Sequence, residues 1–259
     1  MKRLVLALAF LGSWASANDA SANATSPVSI EIVGADGLVF REIPVNARDG
    51  ALRSYLQAEK GARYQVRVRN STGQRLGLVI AVDGRNIING GKSDLARSEP
   101  MYVLAPYATE DYAGWRANLE AINEFYFTDW SDSYSEAFGD RSARGVIAVA
   151  VYGEVAPPAP VWQPYSKAER SDRAGAPAAS SADKSASRSE SPGTGYGDRR
   201  VDHAVEVEFV ARGNADSRHF IKYEWRETLC RKRLLECSEK NRFWDESTLG
   251  FAPPPPRRR

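Results

Sequence analysis

The sequence predicts a mainly β fold: an antiparallel β-sandwich-like domain, then a disordered linker, then a short α+β C-terminal segment. Three observations predict it. Short runs of alternating apolar and polar residues recur through residues 28–154. Turn-forming residues separate these runs at regular intervals. After Glu154 the composition changes abruptly, as prolines lead into Ala, Ser, Lys and Arg low complexity.

The N-terminus comes first. Lys2 and Arg3 precede an apolar run over residues 4–12, and Ala15-Ser16-Ala17 supplies the small residues that a signal peptidase reads. Residues 1–17 are expected to be a secretory signal peptide, with Ala20-Ser21-Ala22 as a second cut site. Residues 18–27, small and polar, read as a disordered leader. The apolar run is too short to span a bilayer and no later run is longer, so no membrane span is expected. The mature chain is expected to be exported, either periplasmic or secreted.

Within residues 28–154, Val28-Ser29-Ile30-Glu31-Ile32 and residues 64–69 alternate as half-buried strands do. Residues 76–82 are continuously apolar, which suits a core strand. Asp83-Gly84 follows directly and predicts a two-residue type I′ hairpin, whose backbone needs positive φ. Residues 85–88 return from it. Residues 101–104, 109–115 and 123–128 read as further strands, with one helical turn expected over 118–123. Residues 145–152, rich in Val and Ile, close the domain.

Residues 155–198 contain Pro157, Pro158, Pro160 and Pro164 and then low complexity. Such a stretch cannot bury enough apolar area to offset its backbone entropy, and it reads as a disordered linker. Residues 199–250 regain apolar content as a small C-terminal module, expected to dock on the main domain or stay partly loose. A strand is expected over 204–210 and an amphipathic helix over 220–236, from the spacing of Ile221, Trp225, Leu229 and Leu235. Residues 251–259 form a Pro/Arg tail.

Charge narrows the function classes. Of 35 Lys and Arg, two leave with the signal, so 33 bases face 33 Asp and Glu in the mature chain. Nucleic-acid binders show a clustered basic surplus, and none is expected here.

From residue 64 to 151 the chain carries Val82-Asp83-Gly84-Arg85-Asn86, Gly114-Trp115-Arg116, Phe125-Tyr126-Phe127-Thr128, Asp132-Ser133-Tyr134 and the run Gly145-Val146-Ile147-Ala148-Val149-Ala150-Val151. In this order the motifs resemble a domain of uncharacterised exported bacterial proteins. Gly195-Tyr196-Gly197 and residues 222–226 are similar to their C-terminal parts. The resemblance implies export and a shared domain, and it transfers no catalytic residue.

The chemistry candidates are few. Trp115, Tyr126, Trp130 and Tyr134 are close in sequence and could line a ligand-binding face for a sugar or a peptide, since aromatic rings stack on apolar faces and keep a polar edge. Equally, alternate members could fill the core. Asp129, Asp132 and Glu136, with Asp140 nearby, crowd oxygen ligands into one loop that could hold Ca²⁺. The spacing is not that of an EF-hand, and turn capping at a helix start competes with that reading. No other cofactor is expected. His203 and His219 both lie outside the main domain, so a Ser-His-Asp site would require one of them to fold back onto it. Glu120 and Glu124, four apart, read as a solvated face. Cys230 and Cys237 are expected to pair in an oxidising compartment if the helix ends between them. On one continuous helix they stand about 10.5 Å apart, beyond reach.

The expected function is a non-enzymatic exported envelope or secreted interaction module of unknown ligand, its partner an envelope protein or a glycan. The alternatives are a carbohydrate- or peptidoglycan-binding module and a metal-dependent hydrolase centred on Asp129, Asp132 or Glu136.

Overall fold

Two seven-stranded sheets face each other across one hydrophobic core. The structure, a computed structural model, describes residues 27–46, 49–155 and 191–237. The signal peptide, nearly all of the leader, most of the linker and the Pro/Arg tail lie outside the described residues.

The first sheet joins β1 (Val28–Gly34), β4 (Arg63–Asn70), β8 (Thr109–Tyr112), β9 (Gly114–Asn118), β10 (Ala121–Asp129), β12 (Pro192–Thr194) and β13 (Arg199–Val201). The second runs β2 (Glu42–Val45), β3 (Leu52–Ala58), β14 (Ser217–Trp225), β11 (Val146–Gly153), β5 (Leu76–Val82) and β6 (Arg85–Asn86), with β7 (Tyr102–Leu104) also on β5. All pairings are antiparallel except that of β14 with β3, so the second sheet is mixed. Between the sheets lie Ile32, Tyr64, Val66, Phe125 and Phe127 from one side and Leu56, Leu78, Ile80, Val149 and Tyr223 from the other.

β5 and β11 are covered on both faces, which is why their sequences read as unbroken apolar runs. Val79, Ala81, Ala148, Ala150 and Tyr152 form a second, smaller core on the outer face. The Asp83-Gly84 turn has φ of 49° and 81°, the positive values that a type I′ hairpin requires.

Several sequence expectations are corrected. Residues 118–123 form no helical turn. They are the Leu119-Glu120 reversal of the β9–β10 hairpin, where the Asn118 side chain accepts from Glu120 N–H at 3.0 Å. The run 109–115 is two strands that pair with different partners, β8 with β4 and β9 with β10.

The end of the expected linker is ordered, because Pro192, Gly193 and Thr194 are buried in β12 against β10. The strand expected over 204–210 is absent. Residues 220–236 are not one helix: Ser217–Trp225 is a strand, and only Arg226–Arg231 is helical (α2). Far from docking as a separate module, β14 runs between β3 and β11. Ile221, Trp225 and Leu229 fit a helical stripe, but His219, Ile221 and Tyr223 fit a strand equally well and all three are buried. Past Arg231 the backbone turns with Arg233 at φ 57°, and Cys230 and Cys237, with Cα atoms 5.6 Å apart, are joined as a disulfide.

Candidate functional site

The four aromatic residues singled out from the sequence separate according to strand alternation. Trp115 on β9 is only 2% exposed and packs edge-on against Phe125, while its Nε1–H donates to Gly195 O at 3.0 Å. Trp130 is also buried, under the Arg144 guanidinium, and donates to Glu136 at 2.6 Å. Both are core residues. Tyr126 points the other way from Phe125 and Phe127 and supports the returning chain at residues 195–197, where a Cβ on Gly195 would run into its ring. Glycine is required there for close approach.

Tyr134 opens the short helix α1 (Tyr134–Ala137), which Ser133 caps by accepting from Glu136 N–H. Its ring lies on Trp115, with centroids 4.3 Å apart, and is stacked on Tyr196 at 5.4 Å with planes 16° apart. Phe138 meets its edge at 5.0 Å. Phe138 and Tyr196 are 57% and 50% exposed, so this cluster faces solvent. Arg85 lies 4.2 Å over the Phe138 ring, and Asn123 donates to the Tyr196 hydroxyl at 2.6 Å. The face is therefore two exposed rings and one half-buried ring, rimmed by a guanidinium, with the buried Asn123 carboxamide holding the Tyr196 hydroxyl. Sequence reasoning missed Phe138, Tyr196, Arg85 and Asn123. The signal for Tyr196 was present, an aromatic between two glycines, but it stands at the end of the low-complexity stretch.

The loop carboxylates are not brought together. Asp129 accepts from Lys60 at 2.5 Å, and Glu136 is held by Arg141 and Trp130, while Asp132 is exposed. The Arg141 hydrogen bond holds the Glu136 carboxyl below its usual range. Among the described residues no group of three His, Cys, Asp or Glu is placed to hold a metal ion.

His219 does fold back onto the main domain, on β14. Its Nε2 and the Ser217 Oγ share a hydrogen bond of 3.2 Å, and burial lowers its pKa. Ser217 also lines a cavity of about 560 Å³, together with Val28, Gln74, Leu76, Val151 and Arg212. Asp216 faces Arg212 at 3.8 Å, and no carboxylate hydrogen-bonds the imidazole among the described residues. What remains is a Ser–His pair without the third group that would orient it.

The most perturbed carboxyl is at Asp83, which is fully buried. It accepts from Gly145 N–H (2.7 Å), Thr194 N–H (2.8 Å) and the Tyr223 hydroxyl (2.7 Å). Thr194 Oγ1 is in turn hydrogen-bonded to the hydroxyls of Tyr223 and Tyr64. This closed network ties β5, β4, β12 and β14 together and is sealed from substrate. Among the described residues no helix is long and apolar enough to cross a membrane. Set against models of protein families, curated proteins and solved structures, the chain finds no match.

Proposed function

We propose that the chain is a non-enzymatic exported module, periplasmic or secreted, that binds saccharide through the face made by Tyr134, Phe138 and Tyr196. The stacked, solvent-facing pair Tyr134 and Tyr196 carries the reading. Half-exposed aromatic side chains offer on the order of 100 Å² each. A protein partner needs about 800 Å² per side, several times what these rings supply. A pyranose ring, with an apolar C–H face and hydroxyls at its edge, matches the smaller area. Arg85 stands at the rim as a polar group for those hydroxyls. Export rests on Lys2, Arg3 and the apolar run after them, and envelope glycans such as peptidoglycan belong to that compartment.

Calorimetric titration of the mature chain with soluble peptidoglycan fragments, preceded by a glycan array, tests the reading. Phe138→Ala is expected to weaken binding about tenfold, or about 1.4 kcal/mol, with unchanged melting temperature. Tyr196→Ala is expected to weaken it as much at a lower melting temperature, because it leaves the buried Asn123 amide without its acceptor. Binding to no glycan, or full binding by both variants, overturns the proposal.

A further inference from the structure

Residues 204–209 read Ala-Val-Glu-Val-Glu-Phe, apolar and acidic in alternation, yet they belong to no strand or bridge. Both ends of the stretch are tied. Asp202 and Ala204 donate backbone N–H groups to Glu120 O (2.8 Å) and Leu119 O (2.7 Å) at the β9–β10 reversal. At the far end Val155 N–H donates to Val210 O (2.8 Å), and Arg212 N–H donates to Gly153 O (2.9 Å). Phe209 lies over Gly77, where a Cβ would come within 2.6 Å of its ring. Arg75 covers that ring and donates to Glu208 O at 3.0 Å. Between these anchors the N–H groups of Val205, Glu206, Val207 and Glu208 donate to nothing among the described residues. Val205 and Val207 are 81% and 52% exposed.

We propose that residues 204–208 are a docking edge for an extended segment of a partner protein that alternates aliphatic and basic residues, bound by strand addition. An unpaired, Val-rich backbone offers a row of donors and acceptors to an incoming strand. Because both ends are fixed, much of the ordering cost is already met in the free protein. Charge selects the occupant. Antiparallel pairing with a second copy that keeps valine opposite valine also sets glutamate opposite glutamate, which opposes self-association. The chain's own Arg257 to Arg259 follow Pro253 to Pro256, which have no N–H to give a ladder. A foreign strand with Lys or Arg at alternate positions satisfies both Glu206 and Glu208 while its aliphatic residues cover Val205 and Val207.

Fluorescence anisotropy with a labelled peptide of alternating Lys and Val, added to the full mature chain, tests the proposal. The peptide is expected to bind at least tenfold more tightly than one with the same residues in two blocks, or one N-methylated at alternate amides. Val207→Pro is expected to lose that binding at unchanged melting temperature. The double variant Glu206→Lys, Glu208→Lys is expected to prefer an alternating Glu and Val peptide instead. Tyr196→Ala leaves all of this unchanged, so failure here is distinct from failure of the saccharide face. Equal binding of the blocked or N-methylated peptide means charge alone and overturns the proposal. So does indifference to both Val207→Pro and the double lysine variant, or a concentration-dependent dimer that Val207→Pro abolishes.

Discussion

Asp83 is an acidic residue with no solvent exposure, and opposing effects act on its carboxyl. Burial disfavours the ionised form. The donors Tyr223, Thr194 and Gly145, with Lys222 nearby, favour it. Burial prevails and lifts the group from 3.8 to about 6. Its folded pKa thus exceeds the unfolded value, so folding takes up a proton. The stability it contributes is fully present below about pH 4 and is lost as pH rises through 6, on the order of 3 kcal/mol in all. Urea unfolding of the wild type and Asp83→Asn from pH 4 to 7 checks this. Asn turns a donor toward Thr194 N–H, so the variant is weaker throughout, and the pH slope is the readout. The wild type is expected to lose stability relative to the variant as pH rises, and parallel curves would refute the assignment. From sequence Asp83 was legible only as a turn residue. Its acceptor role depends on Gly145, Thr194 and Tyr223, which lie 62, 111 and 140 residues away, where no local spacing reaches.

Elements were legible where one physical demand dominated. β5 and β11 must be apolar on both faces, and nothing else produces such runs. β3 was missed because Ser54, a polar residue, takes an inward position between Arg53 and Tyr55 and blurs the alternation. The aromatic residues near 115–134 were identified as a group, but which of them faces outward depended on the register of β9 and β10. β14 was misread because Ile221 and Trp225, with Leu229 beyond the strand, also fit a helical period for two turns. The helix that does form, α2, is short, and its one buried residue is Leu229. A helix this short has little stability of its own. The disulfide that closes residues 230–237 is expected to hold it, contributing about 2 kcal/mol through the shortened unfolded chain. Replacing both cysteines by Ser should lower the guanidinium midpoint accordingly without altering the slope of the transition. An unchanged midpoint would mean that Leu229 alone anchors the helix.

At the scale of the whole molecule, the chain crosses between the sheets more than once. It leaves the second sheet at Gly153, enters the first at Pro192, and returns to the second as β14. The strands β12, β13 and β14 are therefore part of the sandwich. Without β14 the pair β2–β3 has no partner in its own sheet, and Ile221 and Tyr223 leave the core. Burying two such side chains contributes about 3–6 kcal/mol, comparable with the whole stability of many domains. Asp83 would also lose the Tyr223 hydroxyl, one of its three donors, leaving a buried carboxyl less well satisfied. A protease site engineered between residues 156 and 190 makes the prediction concrete. After complete cleavage the two pieces are expected to co-elute in gel filtration and to melt as one transition close to that of the uncut chain. Residues 18–155 expressed alone are expected to remain unfolded by near-ultraviolet circular dichroism, and adding the purified residues 191–259 should restore the signal. If the N-terminal piece folds alone, or separates from its partner after cleavage, β14 is an accessory strand and the saccharide face must stand without Tyr196.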